Sequence, residues 1–286
     1  MHSNEAMPLS AVETARNYYN SEDADTFYSQ VWGGEDIHIG FYTAADEPIS
    51  TASYRTVVTM AERLPKLGTN SHILDIGSGY CGAARYLAKT YDAKINALNL
   101  SEVENQRARE LNDAAGLSQN IEVIDGSFEQ IPFPTASESE KGFDILWSQD
   151  AILHSDNREQ VLSEAFRVLN PGGYFVFTDP MQADDCPEGV LQHILDRIHL
   201  SSLGSPSFYR TVAEQLGFEV VDYEDHTNQL INHYQRVLEE TEKYTPDLEK
   251  KIDPQYVARM KAGLKHWIAG GKAGHLAWGI FLLRKV

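Results

Sequence analysis

From residue 73 onward the chain alternates short apolar runs with segments of helical period. Runs at 73–76, 95–100, 121–124, 143–148 and 174–178 have the length of buried strands, and between them helical periodicity covers about 80–91, 102–115 and 157–169. That alternation predicts a parallel sheet with helices on both faces. Ser101 followed by Glu104 forms a capping box at the start of the second helix. Asn170-Pro171-Gly172-Gly173 predicts the end of the third helix and the turn into the fifth strand. After Asp179-Pro180 the pattern loosens into 181–205, which reads as an insertion over the carboxyl edge of the sheet, with Arg197 and His199 in an apolar-periodic helix. A helix near 206–216, a strand at 218–223, helices near 229–243 and 254–269 and a last strand at 276–283 follow. The last two strands predict an antiparallel edge on the parallel sheet. Residues 10–66 read as helical and rich in aromatics. The expected fold is α/β, a mostly parallel seven-stranded sheet with an antiparallel edge strand. Residues 1–66 would form a helical lid, 67–180 a Rossmann-like ligand-binding core, and 181–286 the substrate-side insertion and the rest of the same domain.

Composition narrows the partners. A chain of 286 residues can bury the core of one large domain. Lysine and arginine total 24 against 42 aspartate and glutamate, a net charge of -18, and the sequence contains no basic patch. Nucleic acid and anionic membrane surfaces would be repelled, so neither is expected as a partner. The acidity reads either as ordinary solubility or as adaptation to high internal salt or osmolyte. Cys81 and Cys186 are the only cysteines, which argues against a disulfide framework and for a reducing compartment. The stretch 1–9 is neither basic nor apolar, and no run has membrane-spanning length, so a soluble cytoplasmic protein is expected.

The run Ile73-Leu74-Asp75-Ile76-Gly77-Ser78-Gly79-Tyr80-Cys81-Gly82 leads a strand through glycines into a helix. Gly77 and Gly79 let the backbone turn tightly and approach a ligand, and the next helix aims its N–H groups at the same place. Gly-x-Gly-x-x-Gly alone would serve a dinucleotide pyrophosphate as well. Asp75 tips the balance, because a carboxylate there repels pyrophosphate and suits the aminoacyl end of S-adenosylmethionine. Ligands of open α/β sheets sit outside the carboxyl ends of the strands. At the second strand end the chain offers Asn99, followed by Leu100, where a ribose-gripping carboxylate is common; a plain turn residue is the alternative. On that reading Asn99→Asp should preserve cofactor binding. Ser127 and Phe128 follow the third strand, and Phe128 is either an adenine contact or core. The polar rim Trp147-Ser148-Gln149-Asp150-Ala151-Ile152-Leu153-His154 follows the fourth, with His154 either a general base or structural. Tyr28 and Trp32 share a helical face, which either packs on the core or lids a methylated amine.

Leu74-Asp75-Ile76-Gly77-Ser78-Gly79 and Arg167-Val168-Leu169-Asn170-Pro171-Gly172-Gly173 resemble class I S-adenosylmethionine-dependent methyltransferases. A narrower resemblance, to the sarcosine/dimethylglycine N-methyltransferases of glycine betaine synthesis, extends over nearly the whole chain. It rests on the stretches 32–40, 98–101, 147–151, 178–181, 195–198 and 263–271. Cys81 departs from the third close glycine usual in such loops, whereas Asn99 agrees with the narrower group. The resemblance implies S-adenosyl-L-methionine as cofactor, bound by Tyr28, His38, Asp75, Gly77, Gly79, Asn99, Leu100, Ser127, Phe128, Ser148 and Gln149. Phosphoethanolamine methyltransferases, which are similar around Asp150-Ala151-Ile152-Leu153, imply Tyr19 and His154 as the catalytic pair. Acceptor contacts fall to Trp32, Gln149, Asp179, Met181, Arg197, Tyr209 and Arg210, with Arg197 preferred for the acceptor carboxylate and no metal expected. A monomer or homodimer is expected. The alternatives are a nicotinamide oxidoreductase, a non-catalytic cofactor-binding subunit, and methyltransferases of the phosphoethanolamine, tocopherol or sterol type.

Overall fold

The computed structural model of the chain describes Arg16, Asn20 and residues 22–32, 35–65, 67–137 and 139–286. Helices α1 (Glu22–Val31) and α2 (Ile49–Glu62) precede the sheet. The alternating unit follows: β1 (His72–Ile76), α3 (Gly82–Tyr91), β2 (Lys94–Asn99), α4 (Glu102–Ala114), β3 (Ile121–Asp125), β4 (Phe143–Gln149), α5 (Arg158–Val168) and β5 (Leu169–Thr178). The remainder comprises β6 (Met181–Gln182), α6 (Gln192–Ile198), α7 (Pro206–Leu216), β7 (Phe218–Asp225), α8 (Thr227–Leu248), α9 (Pro254–Lys272), β8 (Leu276–Ala277) and β9 (Gly279–Lys285). The seven-stranded sheet has the order β3-β2-β1-β4-β5-β9-β7. Strands β1 to β5 pair in parallel, and β9 runs antiparallel to both neighbours, one place in from the β7 edge. The mostly parallel sheet expected from the alternation is therefore present.

Apolar side chains cover both faces, as a parallel sheet requires. Phe143, Leu146, Phe175, Phe177 and Phe281 pack with α5 and α7 on one face, and Ile73, Ile95, Ile145 and Trp147 with α2 and α3 on the other. A third core, including Phe27, Val237 and Leu264, joins α1, α8 and α9. Among the described residues no helix is long and apolar enough to cross a membrane.

Four local departures from the sequence reading have physical reasons. Residues 35–48 form bends and extended chain in place of the expected helix. Pro48 bars helical geometry just before it, and Gly40 lies so close to Ala52 of α2 that a side chain there would collide. Asn170 to Gly173 lie inside β5 as a bulge, where the register with β4 shifts between Phe143 and Ile145. His199 stands outside α6 and ends it in a left-handed conformation (φ 56°). The expected last strand divides at Trp278, since Leu276 and Ala277 pair with β6 and only the part from Gly279 joins the large sheet.

Candidate active site

Local sequence builds the loop after β1. Gly77 (φ 75°), Gly79 (φ 50°) and Cys81 (φ 62°) all take left-handed geometry, so the chain folds back between β1 and α3. The Gly77 amide donates to Leu98 O of β2 at 2.8 Å. A Cβ at Gly77 would overlap the Cβ of Ala151, so only glycine fits between the loop and the rim after β4. At Gly82 a Cβ would overlap the carboxylate of Asp36, which therefore sits at the start of α3. Asp75 is 3% exposed and lines the cleft. Burial pushes its pKa up to about 7, with nearby His38 pulling it down and Asp36 pushing it further up.

The cleft runs across the strand ends from Asp75 past Asn99, Leu100 and Ser101 to Ser127 and Phe128, and is closed by Gln149, Asp150 and His154. The Asn99 amide donates to Glu104 Oε2 at 2.9 Å, and Ser101 Oγ accepts the Glu104 amide at 3.2 Å. Glu104, in the first turn of α4, thus brings a carboxylate to the cleft beside Asn99. The capping motif was the available signal, read only as a helix start. Carboxylates of Glu35, Asp36, Asp75, Glu104, Glu129 and Asp150 line this cleft against the basic side chains Arg16 and His38.

A second chamber of about 800 Å³ adjoins the cleft, and Ile37, His38, Asp150 and His154 line both. Its walls are aromatic, with Tyr28 and Trp32 at 5.0 Å between ring centroids and Tyr234 and Trp267 at 5.2 Å. Its formal charges balance, Arg197 and Arg259 standing with Asp150 and Asp196 among His193, His199 and His266. Arg197, in the last turn of α6, rests on Gly263 of α9, and its Nη2 meets Met260 Sδ at 2.8 Å.

The partition between the two spaces is residues 36–39, tied down, with the following residues to 42, from several directions. Asp150, itself left-handed (φ 50°), accepts the Ile39 amide at 2.7 Å and the Trp278 indole N–H at 2.7 Å. Ser53 donates to His38 O at 2.9 Å and Thr56 to Ile39 O at 2.8 Å. Burial disfavours charge on His38, but Asp36 and Asp150 outweigh it and hold its pKa above the usual histidine value.

His154 lies in a short 3-10 turn, Ile152–His154, fixed by a buried network. Asp179 accepts the Leu153 amide at 2.8 Å and the Tyr209 hydroxyl at 2.6 Å, while Arg158 donates to Leu153 O at 3.0 Å. Burial and then Arg158 push the His154 pKa down to about 4, so the ring is neutral at neutral pH.

The structure brings together in the cleft His38, Asp75, Gly77, Asn99, Leu100, Ser127, Phe128, Gln149 and His154, while Gly79 belongs to the adjoining turn without lining it. Tyr28, expected at the cofactor, lies in the acceptor chamber with Trp32 and Arg197. Gln149, expected at both ligands, lines the cleft alone, its Oε1 taken by Trp147 Nε1 at 2.9 Å and its buried Nε2 without a protein partner among the described residues. Five expected contacts lie elsewhere. Ser148 is buried and donates to Ile76 O at 2.9 Å, and Met181 is buried in β6 opposite Ala277. Asp179 and Tyr209 are spent on each other and on the His154 turn. Arg210 stacks over Tyr223 at 5.2 Å, away from both spaces. Tyr19 lies outside the described residues.

S-adenosylmethionine fits this cleft on structural grounds. A carboxylate opens beside the glycine turn, backbone approach is possible only at glycine, an unpartnered amide lines the wall, and the acidic lining suits a ligand with net positive charge.

The profile of the methyltransferase domain family matches residues 74–177. The chain is 55% identical to the sarcosine/dimethylglycine N-methyltransferase of Halorhodospira halochloris, over 96% of this chain and 97% of that protein. It is 52% identical to the protein of the same name from Aphanothece halophytica, over 95% and 96% of the two chains. The crystal structure of a proposed sarcosine dimethylglycine methyltransferase from Galdieria sulphuraria superposes with a TM-score of 0.88 at 41% identity, covering 94% of this chain and 98% of that one. With its glycine turn, acidic cleft and adjoining aromatic chamber, the chain belongs to the sarcosine/dimethylglycine N-methyltransferase family of S-adenosylmethionine-dependent enzymes.

Proposed function

We propose that this enzyme methylates sarcosine and dimethylglycine on nitrogen, giving glycine betaine. The observation that carries the reading is the pairing of two adjoining spaces: an anionic cleft for a cationic donor, and an aromatic chamber with Arg197 in its wall for an acceptor that bears a carboxylate. Bound S-adenosylmethionine supplies an electrophilic methyl group on a sulfonium. Asp75 holds the cofactor's ammonium, Glu104 with Asn99 the ribose hydroxyls, and Phe128 a face of the adenine. Arg197 grips the acceptor carboxylate through its planar fork. Tyr28 and Trp32 exclude water and host the methylated ammonium on their ring faces.

The acceptor nitrogen must approach the methyl group in line with a free lone pair, so most of the catalysis is positioning and desolvation. His154, neutral and fixed at the junction, orients the amine and receives its proton where one is present, and the resemblance assigns Tyr19, outside the described residues, to the same duty. Residues 1–66 act as the lid, 67–180 as the cofactor core and 181–286 as the acceptor side. Two free cysteines and the acidic composition support a cytoplasmic location.

An acceptor panel with S-adenosylmethionine, read by product mass, tests the proposal. Glycine betaine should form from both sarcosine and dimethylglycine. Turnover of phosphoethanolamine with neither amino acid accepted would overturn the reading.

A further inference from the structure

His233 of α8 is 1% exposed, lines the acceptor chamber, and has no place in the chemistry above. Its Nδ1 lies 3.2 Å from the Gly40 amide nitrogen and 3.0 Å from the Tyr42 hydroxyl. A backbone amide can only donate, so Nδ1 carries a lone pair and the single proton of the neutral ring is on Nε2. Burial, then the neighbouring charge of His38, depresses the pKa to about 3, so the ring stays neutral across any working pH. The opposite edge of the ring meets no protein acceptor among the described residues, while Trp32 and Tyr234 stand 5.4 Å and 5.7 Å from it between ring centroids. That N–H, held in one tautomer at the chamber wall and without a protein acceptor among the described residues, is open to a ligand's acceptor.

We infer that His233 is a substrate-binding residue whose Nε2–H donates to a carboxylate oxygen of the methyl acceptor. This rests on the reading of the chamber as an amino-acid site. The choice of atom follows from the chemistry. The acceptor nitrogen must keep its lone pair for the methyl group, and the quaternary product has none, so the carboxylate oxygens alone can receive the proton donor throughout turnover. Sharing that carboxylate with Arg197 would fix the distance between the anchored end and the reacting nitrogen.

Two substitutions separate this role from simple anchoring of residues 36–42. In His233→Asn the side-chain oxygen can still accept the Gly40 amide, but no donor reaches the chamber. In His233→Gln an amide donor reaches the chamber, but the Gly40 acceptor is lost. The asparagine variant should raise KM for dimethylglycine about tenfold or more, with the dissociation constant for S-adenosylhomocysteine unchanged by calorimetry, and the glutamine variant should stay within about threefold of wild type. Inhibition by 2-dimethylaminoethanol, which lacks the carboxylate, should be equal in wild type and His233→Asn. A wild-type KM in His233→Asn, or the same loss for the carboxylate-free amine, overturns the inference alone. A wild-type enzyme that accepts neither sarcosine nor dimethylglycine overturns the functional reading and this inference together. Should neither variant fold, nitrogen-15 histidine spectra of the wild-type enzyme decide. The Nε2–H signal of His233 should move when dimethylglycine joins the S-adenosylhomocysteine complex, and an unmoved signal is the contrary result.

Discussion

The guanidinium of Arg197 lies directly against the α-carbon of Gly263, where an added Cβ would stand 2.6 Å from Arg197 Cδ. One residue of α6 and one of α9 thus form a single device: the missing side chain on α9 is the space that the arginine occupies. Gly263→Ala should displace the fork and raise KM for dimethylglycine about tenfold while leaving cofactor affinity intact. Arg197→Ala should cost about 2–5 kcal/mol of acceptor binding if the ion pair is desolvated. The double variant should be no worse than Arg197→Ala, because both changes remove the same grip; additive losses would assign Gly263 a separate role.

Asp75 gives cofactor binding a pH dependence. Its pKa of about 7 in the folded protein means that the carboxyl is largely protonated below that pH, and a bound ammonium favours the ionised form. Affinity for S-adenosylhomocysteine should therefore rise about tenfold per pH unit up to about pH 7 and flatten above it. Calorimetry in buffers of different ionisation enthalpy should detect the released proton, and Asp75→Asn should abolish both the release and the slope. The sign for the free protein is the reverse: the unfolded chain ionises near 3.8 and the fold resists ionisation, so this group subtracts stability as pH rises from about 4 to about 7.

At position 99 the structure reverses an expectation. An added carboxylate read from the sequence alone restores a ribose acceptor, but Asn99 Nδ2 donates to Glu104 Oε2 at 2.9 Å, and both residues are buried. Asn99→Asp would replace that bond with two like charges in a buried site. Cofactor affinity and melting temperature should both fall. Unchanged values for both would refute the assignment of Glu104 to the ribose.

His154 is neutral above about pH 5, so its own titration lies below the working range. The rise of kcat/KM with pH should instead follow deprotonation of the acceptor amine. His154→Ala should keep that slope and lie about a hundredfold or more lower. Wild-type turnover across the range would make the histidine purely structural.

What could be read from the residues is what is local. The strand, glycine turn and helix around Asp75 occupy a continuous stretch, and Gly77 and Gly79 take the left-handed geometry that their own turn demands. Gly263 and His233 carry no such signature. Both belong to long helices of ordinary amphipathic pattern, and their meaning depends on Arg197 and Gly40, which are distant in sequence. Asp179 and Tyr209 were misread for a related reason. They flank the right region, but the hydrogen bonds that consume them are formed only when α7 packs against the strand end. Glu104 was visible as a cap residue, and its second duty depended on the direction of the Asn99 amide.

Ile37 and His38 are common ground to donor and acceptor spaces, but helices α6, α8 and α9, which furnish much of the acceptor chamber, contribute no residue to the lining of the cofactor cleft. Donor recognition and acceptor choice are consequently written on different parts of the chain. Reshaping α6, α8 and α9 could redirect the methyl group to bulkier amino acids without rebuilding the machinery that presents it.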